Sequence, residues 1–329
     1  MISPGLPAAL KAALEAKLHG QSRQDAAARA ARISDTYRSG GNSGAITTDA
    51  DAIAYATVRM PATYAAVAAS LNALIQASPD FAPSSLLDVG AGPGTASFAA
   101  AEAFSSLTSF NAIDANPALR TLALSLAEDG LHSRDLTYAL GTTRTLLDRA
   151  ERADLVIASY VINELSDMER RSVVDLLWEK AGSALLIVEP GTPAGYQRII
   201  AARDQLIATG AHVAAPCPHA AACPLIAPDW CHFVQRLARS RAHRELKGAD
   251  VPFEDEKFSF VAVTRQPVAH RAAARVLAPP MVTKIAATAK LCLADGTAAT
   301  VSIPRRDKPA FAAARRWDWG DGVELPPRP

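Results

Sequence analysis

A glycine-rich turn constrains the fold of this chain more than any other segment. Residues 86–95 read LLDVGAGPGT, so that an apolar run containing Asp88 leads into three glycines and then into a helical pattern. Glycine permits positive φ and lets the backbone approach a ligand closely. Turns of this kind follow the first strand of open α/β sheets that bind nucleosides. We therefore expect an α/β fold with a ligand above Gly90, Gly92 and Gly94.

Short apolar runs alternate with amphipathic helical patterns after this turn begins. The candidate strands are SLLDV, SFNAID, DLTYAL, DLVIAS and ALLIVEP, and helical spacing lies between them at about 95–106, 117–130, 142–151 and 167–181. Nearly continuous apolar strands indicate a buried parallel sheet with helices on both faces. The pattern predicts a doubly wound sheet.

The chain divides into three predicted regions: a helical N-terminal region over 1–80, the α/β core over 81–265, and a basic, β-rich extension over 266–329. Late in the core, a helix at about 194–209 leads into a loop rich in proline and cysteine at 215–231. We expect a basic helix in FVQRLARSRAHREL and a strand in KFSFVAVTR after that loop. The last sixty residues look like β structure, with strands in ARVL, TKIAATAKLCL and TAATVSIP and a turn at 294–296.

The spacing of the glycine turn favours a ligand without phosphate. The turn reads GxGxG and contains Pro93, which has no N–H for a pyrophosphate, whereas dinucleotide sites use GxGxxG. Asp114 ends the second strand and can accept hydrogen bonds from both ribose hydroxyls. S-adenosylmethionine fits this pattern, with Asp88 and the glycines near its amino-acid end. The predicted fold class is that of the class I, Rossmann-like S-adenosylmethionine methyltransferases.

Asn163 and Glu164 are the candidate catalytic residues, because they follow the fourth strand at the edge where such sheets bind ligands. The alternative is a helix N-terminal region in which the acid is stabilised by the helix dipole. The core between residues 84 and 195 contains no cysteine, which argues against a cysteine nucleophile.

The four cysteines all lie beyond that core, and three of them share one loop. Four thiolates suffice for tetrahedral zinc or for a 4Fe–4S cluster, and the spacing does not choose between the metals. Two disulfides or four unrelated thiols are the alternatives, and nothing in the sequence indicates export. The predicted metal ligands are Cys217, Cys223, Cys231 and Cys292.

Positive charge is concentrated near the C-terminus, although the net charge of the chain is only +1. Residues 265–316 contain ten Lys and Arg against two Asp and Glu. A local basic surface indicates an anionic partner such as RNA, and a solvated face is the alternative. The candidate RNA-binding residues are Arg271, Arg275, Lys284, Arg305, Arg306, Lys308, Arg315 and Arg316.

Several motifs together resemble the Rsm-type mitochondrial small-ribosomal-subunit methyltransferase-like family and its bacterial relatives. They are the N-terminal YxxxRxPATY at 55–64, then LLDVGAGPGT, SYVINEL, VEPGTPAGY, CPHAAACPL, DWCHFVQR, ARVLAPP, LCLADGT and RRWDWGD. These motifs span about residues 50–322. The resemblance implies a methyltransferase-like core, a 4Fe–4S cluster on the four cysteines and a role on small-subunit ribosomal RNA during assembly.

We therefore expect a cofactor-bound protein that recognises small-subunit rRNA during assembly, and rRNA methylation is its candidate activity. A non-catalytic assembly factor and a small-molecule methyltransferase are the rival functions. No apolar run is long enough to cross a membrane, and no secretory or convincing mitochondrial leader is evident. The expectation is a cytoplasmic, monomeric protein.

Overall fold

The structure is a computed structural model that describes residues 1–130 and 135–325. The chain begins with three helices, α1 (Ala8–Leu18), α2 (Arg23–Arg38) and α3 (Asp49–Ala77). Thr48 begins α3 with a capping box, in which its side chain and that of Asp51 each bind the other's backbone amide. None of the helices in the described ranges combines the length and apolarity that crossing a bilayer requires.

A mixed sheet forms the centre of the molecule. Its five parallel strands are β1 (Ser85–Val89), β2 (Ser109–Asp114), β3 (Asp135–Leu140), β4 (Ala153–Ser159) and β5 (Ala181–Pro190). Three further strands join the sheet: β6 (His212–Ala215), β7 (Phe233–Ala238) and β8 (Phe253–Thr264). The order is β3-β2-β1-β4-β5-β8-β6, with β8 antiparallel to both neighbours and β7 paired beside it. This is the strand order of class I methyltransferases, so the predicted doubly wound, Rossmann-like core is confirmed. The metal-binding role of the loop at 215–231 stays a prediction.

Helices cover both faces of this sheet, because the strands are apolar on both sides. The helices that connect the strands are α4 (Thr95–Ala103), α5 (Pro117–Gly130), α6 (Thr143–Arg149), α7 (Asp167–Lys180) and α8 (Pro193–Ala208). One buried cluster joins α3, α4 and α5 to the first face, and a second joins α6, α7 and α8 to the other. The glycine turn and Asp114 thereby meet at the carboxyl edge of the sheet.

The predicted basic helix in FVQRLARSRAHREL is wrong in its first half. Phe233–Ala238 form β7, which pairs antiparallel with β8 from Phe233↔Phe258 to Ala238↔Phe253. The buried residues Phe233 and Leu237 are four apart, a spacing that fits a helix and a strand equally well. The helix α9 (Arg241–Lys247) begins only after Ser240, whose hydroxyl accepts from the amide of His243.

The C-terminal residues build a second sheet of five strands. These are β9 (Ala274–Val276), β10 (Met281–Val282), β11 (Ala286–Leu293), β12 (Ala298–Pro304) and β13 (Gly322–Val323). The β-rich prediction is therefore correct for the strands, but it missed α10 (Lys308–Ala314), which packs on β11 and β12. Asp307 begins this helix by accepting from the amide of Ala310, a local cap within a segment too short to show helical periodicity.

Candidate functional site

The glycine turn forms a crevice at the carboxyl edge of β1. Gly90, Gly92 and Gly94 all have positive φ, at 67°, 55° and 81°, which L-residues with side chains rarely adopt. A Cβ on Gly90 would lie 2.5 Å from a methyl carbon of Val161. A Cβ on Gly92 would meet only Leu119, at 3.9 Å, so the space above this residue is open to a ligand.

Asp114 is fixed at this crevice by two backbone amides. Its Oδ2 accepts from the Gly92 amide at 2.9 Å, and its Oδ1 accepts from the Asn116 amide at 2.7 Å. Burial raises the pKa of Asp114, and these hydrogen bonds oppose the rise. Each carboxylate oxygen can accept a further hydrogen bond, as contact with a ribose diol requires. The geometry is therefore compatible with the predicted cofactor role.

Asp88 lies beneath the turn and is fully buried. Its Oδ2 accepts from the amide of Ser97 at 3.0 Å and from the Ser97 hydroxyl at 2.7 Å. Burial raises its pKa to about 6, against the effect of the Ser97 hydrogen bonds. Oδ1 is buried and has no hydrogen-bond partner in the described part of the chain. Asp88 thus holds the first turn of α4 against β1, and its contact with a ligand stays a prediction.

Asn163 and Glu164 lie in a 3-10 turn, Ile162–Glu164, directly after β4. The Asn163 Oδ1 is buried without a hydrogen-bond partner in the described ranges. Glu164 keeps access to solvent, and partial burial together with the charges of Asp114 and Glu189 raises its pKa to about 7. A carboxyl group near neutrality can exchange a proton with a ligand, so both residues stay candidates for contact with an acceptor.

The N-terminal helices cover this crevice, which sequence reasoning did not predict. The Asn116 side chain donates to the carbonyl oxygens of Ser43 and Ile46, at 2.9 Å each. Tyr37 of α2 stacks on Tyr55 of α3 with ring centroids 5.9 Å apart. We call this tyrosine pair, together with the Ser43–Ala45 turn, the roof of the crevice. Glu164 interacts electrostatically with both tyrosines, so the roof lies close to the candidate catalytic turn Ile162–Glu164. Tyr55 is the first residue of the YxxxRxPATY motif, and this motif was the one signal in the sequence that these helices contribute to the site.

A second polar group extends the crevice from the end of β4. Tyr160 has a φ of 58°, the one positive value among the described residues other than glycine, and strained backbone of this kind is concentrated at functional sites. Its hydroxyl donates to Glu256 at 2.7 Å, and the Arg59 guanidinium donates to the same carboxylate at 2.8 and 3.2 Å. Through these contacts Arg59, which belongs to the same motif as Tyr55, helps to place Tyr160 after β4.

Glu189 at the end of β5 was also missed. It is fully buried, and its Oε2 accepts from Arg198 at 2.5 Å. Burial raises its pKa to about 7, against the charge of Arg198. The VEPGTPAGY motif contains this glutamate, but the motif alone does not tell which of its residues face the crevice.

The four cysteines line one cavity between the two sheets. The cavity is lined mainly by side chains of α8 and of the 215–231 loop, with Cys292 from β11, and its polar lining contains Tyr196, Arg203, Ser259 and Arg275. Burial raises the pKa values of Cys217, Cys231 and Cys292, the last to about 12, and mutual repulsion of the thiolates adds to the shift. The tertiary structure thus brings Cys292 to the three cysteines of the loop. In the ranges that the structure describes, no three His, Cys, Asp or Glu side chains are arranged to hold a metal ion.

Two buried guanidinium groups face these cysteines. Arg203 donates to the carbonyl oxygens of His219 and Ala221 at 3.0 and 2.8 Å. Arg275 donates to the carbonyl oxygens of Pro216 and Gly320 at 2.7 and 2.8 Å. A role for Arg275 in binding RNA is therefore wrong, because its side chain is buried against the cysteine cavity rather than exposed.

The other seven candidate RNA-binding residues are exposed. The Arg305 guanidinium reaches the carbonyl oxygen of Lys284 at 3.3 Å, so that these two positions and Arg306 lie at one end of the second sheet. Lys308 begins α10, and Arg315 and Arg316 follow its end. None of them forms an ion pair with a carboxylate in the described ranges, so their charges are available to an anion. These observations leave their contact with RNA a prediction.

The strand order and the crevice define the class of protein: the chain has a class I methyltransferase fold with its ligand crevice above β1 and β2. Magnesium protoporphyrin IX methyltransferase from Synechocystis is similar in structure, with a TM-score of 0.43 and 14% identity, over 70% of this chain and 90% of that chain.

The chain belongs to the family described as mitochondrial small ribosomal subunit Rsm22, which matches residues 49–324. The human ribosome assembly protein METTL17, mitochondrial, is 30% identical over 299 residues, which are 83% of this chain and 62% of that protein. The Rsm22-cox11 tandem protein 2, mitochondrial, of Schizosaccharomyces pombe is 26% identical and matches 83% of this chain and 43% of its own length. This chain thus spans less than two thirds of either relative. Both relatives are mitochondrial by name, so the cytoplasmic location expected for this chain stays a prediction.

Proposed function

We propose that this protein binds S-adenosylmethionine and the small ribosomal subunit, carries a 4Fe–4S cluster, and methylates small-subunit rRNA during assembly. The observation that carries the proposal is the crevice beside the hydrogen-bonded pair Gly92 and Asp114 in a member of a small-ribosomal-subunit family. The glycines leave open space beside a carboxylate that still has acceptor capacity. The relative METTL17 is named as a ribosome assembly protein, which supports the ribosomal part of the proposal.

The cysteine cavity supports the cluster. Arg275 is a buried cation that donates hydrogen bonds to two backbone carbonyls, and a buried cation needs a negative partner. Four thiolates supply that charge when they bind metal, and Cys217, Cys223, Cys231 and Cys292 would be the ligands. A single zinc ion requires its ligands at about 2.3 Å from one point, whereas a cluster offers each thiolate a separate iron. The iron and zinc content of the purified protein decides between the two metals.

The exposed basic residues at the end of the second sheet supply the surface for rRNA. Phosphates are attracted to Lys and Arg side chains that have no carboxylate partner. Asn163 and Glu164 would face the acceptor, because they lie beside Asp114 and Glu189 at the same edge of the sheet.

A methyl-transfer assay tests the proposal. Protein purified without oxygen should be brown and contain about four iron atoms per chain, as expected for this cluster type. Small subunits incubated with it and methyl-labelled S-adenosylmethionine should gain label in their rRNA. Colourless protein with one zinc would contradict the cluster and leave the ligands in place.

A non-catalytic assembly factor is the second candidate. It is favoured by the roof over the crevice, since Tyr37, Tyr55 and the Ser43–Ala45 turn restrict access to the cofactor edge. Subunits that bind the protein and cofactor without gaining label would establish this function instead.

A further inference from the structure

Two side chains lie within hydrogen-bond distance of sulfur atoms in the cysteine cavity, and neither is a predicted metal ligand. The Tyr196 hydroxyl lies 3.1 Å from the Cys223 Sγ. The His219 Nε2 lies 3.3 Å from the Cys292 Sγ. We infer that Tyr196 and His219 are the donors that set the reduction potential of the iron–sulfur cluster, an inference that rests on the proposed function.

The chemistry of a ligated thiolate fixes the direction of both bonds. A thiolate has no proton and can only accept, so the proton must lie on the tyrosine oxygen and on the Nε2 of the imidazole. Tyr196 projects from α8, and His219 lies in the 215–231 loop, so each donor comes from a different element. His219 is almost completely buried, which keeps water from replacing its bond to Cys292.

The two donors act on two different sulfurs, whereas the charges of the two arginines act on several, Cys292 included. The charge of Arg203 lowers the pKa of Cys217, and that of Arg275 lowers the pKa of Cys231, each against the larger effect of burial. Both arginines also anchor the backbone around the cavity, so replacing them would disturb the fold. Tyr196 and His219 are therefore the positions at which the hydrogen bonds can be removed separately.

The charge that reduction places on the sulfurs determines the sign of the effect. Reduction adds one electron to the cluster, and part of its charge resides on the cysteine sulfurs. A hydrogen bond to such a sulfur stabilises the reduced state more than the oxidised state, and hydrogen bonding is one of the means by which proteins tune these potentials. Removing either donor should therefore shift the potential to a more negative value.

The experiment is a reductive titration of the anaerobically purified full chain, followed by electron paramagnetic resonance. The variants are Tyr196→Phe, His219→Phe and the double variant, with iron content measured for each. We expect each single variant to titrate at a more negative potential, and the double variant to shift by about the sum because the bonds lie on separate sulfurs. His219→Gln retains an N–H group and should recover part of the shift.

Two matched control variants distinguish the loss of a hydrogen bond to sulfur from a general loss of packing in the protein. Tyr64→Phe removes the hydroxyl of a buried tyrosine in α3 that does not line the cavity, and it should leave the potential unchanged. His232→Phe replaces a histidine beside Cys231 whose ring nitrogen faces the carbonyl oxygen of Trp230 at 3.3 Å rather than a sulfur, and it should also titrate like the parent protein.

Unchanged potentials in Tyr196→Phe and His219→Phe at full iron content would overturn the inference and leave the proposed cluster standing. A wild-type protein without iron would overturn the cluster and the inference together. If a variant fails to retain iron, the wild-type protein is measured instead. The resonance Raman bands of its iron–cysteine bonds are compared before and after exchange into D2O. Deuteration of O–H and N–H donors to sulfur should shift these bands, and identical bands in both solvents would overturn the inference.

Discussion

Asp114 and Gly92 fix each other at the scale of single residues. The Gly92 amide donates to the Asp114 carboxylate at 2.9 Å, and the Tyr138 hydroxyl donates to the Gly92 carbonyl oxygen at 2.7 Å. The turn is therefore held on both sides before a ligand arrives. Such preorganisation lets the remaining acceptor capacity of Asp114 contribute directly to the binding free energy.

Replacing Asp114 should weaken cofactor binding. Asp114→Ala is expected to lower the affinity for S-adenosylmethionine by about 1.5–3 kcal/mol, roughly 10- to 150-fold, because hydrogen bonds to a charged group are lost. Asp114→Asn keeps one acceptor oxygen and should therefore lose less affinity for S-adenosylmethionine than Asp114→Ala. Calorimetric titration measures both variants, and an affinity equal to that of the wild type would place the ligand elsewhere.

Gly92 allows a test that separates backbone strain from ligand contact. Gly92 and Gly210 have φ values of 55° and 88°, and a Cβ at either position meets no atom closer than 3.9 Å. Alanine at either position should therefore cost a similar folding free energy, about 1–2 kcal/mol, from its left-handed backbone. We expect Gly92→Ala alone to lose affinity for S-adenosylmethionine, because its Cβ enters the crevice. Equal affinities for the two variants would exclude close approach of the ligand to Gly92.

At the scale of elements, Asp51 joins α2 to the start of α3. It is buried, and its Oδ1 accepts from Arg29 and Arg32 at 2.8 and 2.6 Å, while its Oδ2 accepts from Thr48 at 2.8 Å. Burial opposes the charge on this carboxylate, but these hydrogen bonds outweigh it and hold the pKa well below its usual range. The junction holds α2, which carries Tyr37, over the crevice.

Asp51→Asn should lower the free energy of unfolding by about 2–3 kcal/mol at pH 7, from the loss of charged hydrogen bonds and of the helix cap. Because the folded-state pKa is depressed, the contribution of Asp51 is complete above its unfolded pKa of about 4 and is lost as the pH falls below it. The difference in free energy of unfolding between wild type and variant, measured by urea denaturation, should therefore become smaller at acidic pH. Asp35→Asn breaks an exposed ion pair with Arg38 and should change stability little at any pH. A pH-independent difference for Asp51→Asn would refute this assignment.

At the scale of the whole molecule, the two sheets divide the proposed roles. The large sheet presents the crevice, the second sheet presents exposed basic residues, and the cysteine cavity lies where the 215–231 loop meets β11. The Lys290 ammonium also pairs with Asp229 across this junction. A cluster at that position would connect the second sheet, which carries the basic residues, to the methyltransferase fold. Loss of the cluster should therefore destabilise both sheets.

Changing Arg305, Arg306 and Lys308 together to Ala should weaken association with small subunits and leave cofactor binding and cluster colour intact. If these residues contact phosphates, the slope of log K against the logarithm of the salt concentration should become shallower by about two to three units. Co-sedimentation across a salt series measures this. The matched triple variant Arg23→Ala, Arg38→Ala, Arg241→Ala removes equal charge from exposed positions on α2 and α9. Wild-type affinity and slope in the first triple variant would exclude this surface as the RNA contact.

The sequence by itself determined the doubly wound core, because apolar strands, a glycine turn and terminal acids are local signals that a parallel sheet requires. It also predicted three of the five strands of the second sheet, β9, β11 and β12, and it supplied the candidate cofactor residues, whose contact with a ligand stays a prediction. It could not distinguish a strand from a helix at Phe233 and Leu237, since a spacing of four fits both and only pairing with β8 decides.

The tertiary structure alone decided which distant residues meet. Tyr37 and Tyr55 cover the crevice, and Arg275 faces the cysteines rather than solvent. These positions depend on how elements pack across long separations in sequence, whereas charge and residue type are the same for an arginine on the surface and one in the interior. Burial and the partners that accompany it, which arise only on folding, separate the two.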